Sequence, residues 1–140
     1  MGEPKRLLLL CHDGGWDRLY QAASAAATAA STGWRVDLVF YFDALEKLLD
    51  GRLDDFELAS GDTSKARRLE ETAEELGTRA PSRLLRAARS SGSARVLACS
   101  ASLALIGRDP AEIDGSIVDE VIGWPTTIAL IGAADSTLYL

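Results

Sequence analysis

Leu7-Leu8-Leu9-Leu10-Cys11 is a continuous apolar run that stops at His12-Asp13-Gly14-Gly15. Apolarity without alternation describes a strand covered on both faces, as in a parallel sheet between layers of helix. The next segment, Trp16 to about Thr32, is rich in alanine, the best helix former. Leu19, Ala22, Ala23, Ala26 and Ala30 give it one small-residue face that can lie close to a sheet, and Gly33 is placed to end it. One strand followed by one such helix is the opening of an α/β fold.

The rest of the chain repeats that alternation. Trp34–Tyr41 is rich in β-branched and aromatic residues and predicts a second strand. Phe42–Leu49 reads as a short helix with Asp43 near its start. Residues 51–61 are polar and broken. Asp62–Leu76 reads as a charged surface helix with a thin stripe at Leu69, Ala73 and Leu76. Pro81 suits the first turn of a helix reaching Ser90. Ala94–Cys99 is the third strand, and Ser100–Ile106 a short helix stopped by Gly107. Arg108–Asp114 is a loop. Val118–Ile122 is a weaker fourth strand, interrupted by Asp119 and Glu120; Pro125 opens a helix to about Ala134, and Thr137–Leu140 closes the chain as a strand. The pattern predicts a single three-layer α/β/α domain with a five-stranded parallel sheet, flavodoxin- or Rossmann-like in architecture, with a charged helical insert at about 54–81. Strand order does not follow from it.

Composition narrows the function classes. The 140 residues carry a net charge of −6, which disfavours nucleic acid and anionic membrane surfaces as partners. Lys65, Arg67 and Arg68 cluster, as do Arg79, Arg83, Arg86 and Arg89, but the second set is spaced as one solvated helix face. No stretch approaches the roughly 18–20 apolar residues of a membrane span. Lys5-Arg6 before four leucines and Cys11 imitates a lipoprotein signal, yet the run is shorter than the roughly 7–15 residues such a signal needs. The cytoplasm is the expected location. Two cysteines make no disulfide framework and no metal-site spacing, and one histidine excludes a multi-histidine site. No metal or cofactor is expected.

Ligands of open α/β sheets bind beyond the carboxyl ends of the strands. Three segments should meet there: His12-Asp13-Gly14-Gly15, Phe42-Asp43, and Cys99-Ser100-Ala101-Ser102. Cys99 ends a strand and starts a helix, where unpaired amides and the helix dipole favour a thiolate. Ser100 and Ser102 could add hydrogen bonds; His12, Asp13, Gly14 and Asp43 would shape the pocket. Packing at a strand end is the competing reading for Cys99. For Cys11, which follows four leucines, packing is the favoured reading. A redox pair of the two cysteines requires Cα atoms within about 7 Å, which adjacent strands would permit. The Asp13-Gly14-Gly15 turn could hold an anion on its amides, although it lacks the dinucleotide and Walker spacings. Trp16, Trp34 and Trp124 read as core or interface residues.

Leu7–Thr32 with the Trp34–Phe40 strand, the segment Val96-Leu97-Ala98-Cys99-Ser100-Ala101-Ser102-Leu103-Ala104-Leu105-Ile106-Gly107, and Val121-Ile122-Gly123 leading to Ala134–Leu140 resemble the DsrE/DsrF-like sulfur-relay proteins, which include the DsrE- and TusD-type carriers. The cysteine segment is the most specific of the three. The resemblance implies a five-stranded parallel sheet, assembly into trimers or hexamers, and a cysteine that carries sulfur as a persulfide between donor and acceptor proteins. Only Cys99 transfers by position. The segment Asp54–Pro81 is longer and more charged than the family's usual connection. The leading expectation is therefore a sulfur carrier or sulfurtransferase. The alternative is a non-catalytic oligomeric binding or regulatory module of the same fold, and a third, resting on fold analogy alone, is a nucleotide or flavin binder.

Overall fold

The computed structural model describes residues 2–140. Five parallel strands, β1 (Arg6–Cys11), β2 (Arg35–Phe40), β3 (Ala94–Cys99), β4 (Glu120–Ile122) and β5 (Ser136–Tyr139), form one sheet in the order β4-β3-β2-β1-β5. Six helices connect them: α1 (Trp16–Ser31), α2 (Phe42–Leu49), α3 (Thr63–Leu76), α4 (Pro81–Ser90), α5 (Ser100–Leu105) and α6 (Trp124–Ala133). Residues Pro110–Glu112 add a single 3-10 turn. This is the expected three-layer α/β/α arrangement.

The strand order explains how unequal the two outer layers are. From β1 to β4 the chain steps across the sheet in one direction, so right-handed crossovers put every connection on one face. Apolar residues of α1, α2, α4 and α5 accordingly pack there against Leu7, Leu9, Val36, Leu38, Phe40, Val96 and Ala98. The return from β4 to β5 runs the opposite way and must cross the other face. Only α6 is available for that face, where Leu8, Leu10, Val39, Tyr41, Leu97, Cys99 and Ile122 form a second core with Leu130 and Ala134 of α6.

Some boundaries shift for physical reasons. Tyr41 lies outside β2 and N-caps α2: its backbone is still extended and its N–H bonds the Cys11 carbonyl at 2.9 Å, but the chain turns into the helix at Phe42. The fourth strand shortens to Glu120–Ile122. Asp119 is a stitch rather than a simple interruption: its carboxylate accepts from the Val96 N–H at 2.7 Å and from the Arg89 guanidinium at 2.8 Å. Arg89 therefore leaves the supposed solvated arginine face, as does Arg79, which pairs with Glu70, while Arg83 and Arg86 stay exposed.

The 54–81 insert is docked more firmly than a surface helix with a thin stripe. Leu69 and Leu76 are exposed, and Ala73 alone of the expected stripe is buried. Trp16 supplies the anchor instead. Its ring stacks on Phe56 at 4.1 Å and on Tyr20 at 4.9 Å, and its Nε1 donates to the Arg79 carbonyl at 2.9 Å. Trp16, Leu58 and Ala73 form a small separate core.

Candidate functional site

β3 and β4 are neighbours whose chains leave in opposite directions. β3 continues into α5, whose Leu103 packs in the core on the α2 side of the sheet, and β4 continues into α6 on the other face. Such a divergence makes the carboxyl ends of β3 and β4 the topological switch point, the place where ligands of open α/β sheets bind. Cys99 stands in register with Ile122 at that point. Ser100 and Gly123 line the two sides; a Cβ on Gly123 would lie 3.6 Å from Ser100 Oγ.

Cys99 is buried, at 4% exposure, among Leu8, Leu10, Val39, Tyr41, Leu97 and Ile122. It is the N-cap residue of α5, but its sulfur makes no capping hydrogen bond to the helix amides. The expected welcome from those amides is thus absent in the resting chain. Ser100 is exposed and Ser102 is buried, both in the first turn of α5.

What stands beside the sulfur is Tyr41. Its ring is 5% exposed and stacks on Trp124 of α6, with centroids 5.7 Å apart. Its hydroxyl is buried and makes no well-formed hydrogen bond, only a weak contact with the Thr127 side chain. The phenol is pushed up to about 12, first by burial; the nearby Thr127 hydroxyl works the other way, and the thiols of Cys99 and Cys11 are close enough to add to the rise. Thr127 itself is buried and directs its Oγ1 to the Gly123 carbonyl at 3.2 Å. A buried hydroxyl without a well-formed hydrogen bond costs about 1–3 kcal/mol. Sequence reasoning had Tyr41 only as a strand end and Thr127 only as a helix residue. The available signal was position, since Tyr41 directly follows a buried strand.

The remaining expected site residues divide into two other groups. His12 is exposed and lies against Phe42 and Tyr139, with ring centroids at 5.7 and 6.2 Å. Phe42 takes a left-handed φ of 37°, an uncommon conformation for an aromatic residue, where β2 turns sharply into α2. Asp13, Gly14 and Asp43 line a separate polar cleft of about 410 Å³ with Lys47, Arg52 and Glu57. There Lys47 Nζ lies 3.7 Å from Glu57 and 3.9 Å from Asp55, and with Glu46 the lining carries four acidic side chains against two basic ones.

The Asp13-Gly14-Gly15 turn does not offer a free nest of amides. His12 and Asp13 both donate to the Leu140 carbonyl, Gly15 donates to Asp13 Oδ1 at 2.8 Å, and Trp16 donates to the Glu57 carbonyl at 2.6 Å. The glycines serve close packing: a Cβ on Gly15 would come within 2.5 Å of the Ala59 nitrogen, and one on Gly14 within 3.0 Å of Asp43.

The two cysteines do not pair. β2 lies between their strands, and Cys11 faces the α1 core while Cys99 faces α6. Complete burial pushes the Cys11 thiol up to about 12, so it has almost no nucleophilic thiolate at neutral pH. Among the described residues no three histidine, cysteine or acidic side chains are grouped to hold a metal ion, and no helix is long and apolar enough to cross a membrane.

The fold has a solved counterpart. It is similar to the protein of unknown function MTH1491 from Methanobacterium thermoautotrophicum, with a TM-score of 0.56 and 15% sequence identity over 97% of this chain and 99% of that one. This likeness concerns the fold alone. No family description and no curated protein matches the sequence.

Proposed function

We propose that the protein is a sulfur carrier of the DsrE/DsrF-like kind, working in the cytoplasm as a homo-oligomer with Cys99 as its sulfur-bearing group. The observation that carries this reading is the Tyr41 hydroxyl, buried without a well-formed hydrogen bond in the same cluster as Cys99, where β3 and β4 diverge. A terminal persulfide sulfur would give that hydroxyl the acceptor it lacks.

The chemistry needs no cofactor. The Cys99 thiol loses its proton to solvent, and its thiolate attacks the sulfane sulfur of a donor persulfide. The donor S–S bond breaks, and the donor leaves as a thiolate that takes a proton from water. An acceptor thiolate later attacks the outer sulfur and releases Cys99 thiolate. Sulfur moves with no net oxidation, at rates set by the attacking and leaving thiols. Tyr41 would donate its O–H to the outer sulfur, and the exposed Ser100 follows Cys99 at the start of α5. Because Cys99 is buried, loading requires the packing around it to open locally.

The test is intact mass after incubation with a low-molecular-weight persulfide. The wild type should gain one sulfur atom, and Cys99→Ala none. Equal loading of both, or no loading of the wild type, refutes the reading.

A second reading is a binding or regulatory module without sulfur chemistry. It is favoured by the same burial of Cys99 and by the missing amide contact. A Cys99 thiol that titrates at or above the free-cysteine value of about 8.5 and takes up no sulfur would establish it.

A further inference from the structure

The helices on the two faces of the sheet are held in different ways. On one face α1 buries Trp16, Leu19, Ala22, Ala23, Ala26 and Ala30, and Asp17 ties it to the Ala59 N–H at 2.9 Å. There too α4 is tied through Ser82 to Asp54 and through Arg89 to Asp119. On the other face α6 buries Thr127 alone. Residues 121–134 carry no charge, so α6 forms no ion pair. Among the described residues its one side-chain hydrogen bond runs back from Thr127 to Gly123 at its own N-cap, and Thr127 touches Tyr41 only weakly. The helix is also intrinsically weak. Thr126, Thr127, Ile128 and Ile131 are β-branched, and Gly132 lies inside its last turn. Its flanks, by contrast, are fixed. Ile122 pairs with Cys99 in the sheet, while Asp135 donates to the Arg6 carbonyl at 2.9 Å and accepts from the Arg6 N–H at 2.8 Å.

We infer that α6 is a gate over Cys99: residues 123–134 open and reclose as one unit while the sheet and the opposite helices stay folded, and this opening sets access to the thiol. The inference deepens the proposed function by naming what regulates its site, and it rests on that reading for the use to which access is put. The Cys99 cluster shows why this helix moves. Leu8, Leu10, Val39, Leu97 and Ile122 belong to strands locked in the ladder, and α6 is the one helix packed on them, through Leu130 and Ala134. Local opening is drawn from segments with few buried contacts, and α6 is such a segment. The short α5 that follows Cys99 is not the cover, because its Leu103 packs in the core on the other face.

Cys11 supplies an internal comparison. The two thiols are almost equally buried, Cys11 at 1% and Cys99 at 4% exposure. Cys11 shares its core with Leu19 of α1 and with Ala44 and Leu45 of α2, on the face held by the polar ties. Reaching it requires that larger layer to come apart. Equal burial in the closed chain therefore goes with unequal access.

The experiment alkylates the native full chain with iodoacetamide, at reagent levels low enough for reclosing to outpace labelling, and reads each cysteine's rate by peptide mass. Ala129→Gly weakens α6, Gly132→Ala strengthens it, and Ala87→Gly weakens α4; all three positions are exposed, and a Cβ on Gly132 meets nothing within 4 Å. Cys99 should label at least about ten-fold faster than Cys11 in the wild type, a difference of ~1.4 kcal/mol in opening. Ala129→Gly should speed Cys99 labelling about five-fold, and Gly132→Ala should slow it roughly two- to five-fold, as the alanine–glycine difference in helix propensity predicts. Ala87→Gly should leave the Cys99 rate unchanged, because α4 stays folded when the gate opens. If Ala129→Gly fails to fold by circular dichroism, Gly132→Ala decides the question. Equal rates at the two cysteines, a Cys99 rate indifferent to the α6 variants, or one that Ala87→Gly raises as much as Ala129→Gly does, overturns the inference. Sulfur uptake is read separately by intact mass, so a gate that opens on a thiol that takes no sulfur refutes only the sulfur chemistry, and a loaded Cys99 with no response to α6 refutes only the gate.

Discussion

Trp16→Ala should release the 54–81 insert while leaving the central sheet folded. The indole is 7% exposed, and its face is shared between Phe56 and Tyr20. Burying about 200 Å² of aromatic surface at ~25 cal/mol per Å² gives an upper bound near 5 kcal/mol. Large-to-alanine changes at buried aromatic positions cost about 3–5 kcal/mol. Most of this loss falls on the small core of Trp16, Leu58 and Ala73, which is separate from the main cores on either face of the sheet. Trp16→Phe keeps an aromatic ring but loses the pyrrole half of the indole with its Nε1–H bond to the Arg79 carbonyl, so its cost should be smaller than that of Trp16→Ala, about 1–2 kcal/mol. Urea unfolding followed by circular dichroism measures the totals. Trypsin measures the locality, because Arg67 and Arg68 lie in α3. Faster cleavage there, with the rest of the chain still resistant, is the expected result. A Trp16→Ala loss under about 1 kcal/mol with unchanged cleavage would refute the anchoring role.

Three further outcomes are expected. Tyr41→Phe removes a buried hydroxyl without a well-formed hydrogen bond, so urea midpoints should rise or stay level, up to about 1–3 kcal/mol, while the persulfide on Cys99 should discharge faster; lower stability with unchanged discharge contradicts the assignment. Burial holds the Cys11 thiol neutral to about 12 in the folded chain, whereas the unfolded thiol ionises near 8.5. Above that lower value the unfolded state binds fewer protons, so stability should decline from roughly pH 9 toward pH 12, and Cys11→Ala should flatten the decline in urea titrations. For Asp119, burial raises the carboxyl pKa, but the Arg89 guanidinium and the Val96 N–H outweigh it and leave the net value below the ordinary range. Its stabilisation is therefore present above the unfolded value of about 3.9 and lost as pH falls through the lower folded one. Asp119→Asn should be less stable than wild type at neutral pH, with the gap closing in acid; a gap constant across pH would count against the stitch.

Local pattern alone was enough for the architecture. Leu7–Cys11 is apolar without alternation because its residues pack against opposite faces of one covered sheet, and the alanines of α1 report the close approach of a helix. The placement of Cys99 between a buried strand and a helix was also legible, since such junctions are marked by composition. Strand order was not, because parallel partners are distant in sequence and their side-chain pattern is nearly the same at every position in the sheet. That order decided three things. It put β2 between the two cysteines and turned them to opposite faces. It made the ends of β3 and β4 diverge beside Cys99, whose buried neighbours include Tyr41 rather than His12, Asp13 or Asp43. It left one face to α6 alone, and so left Trp124, Ile128 and Ile131 uncovered. Pattern records whether a residue will be buried; which residues share a space depends on contacts between distant segments, and those exist only once the chain has closed on itself.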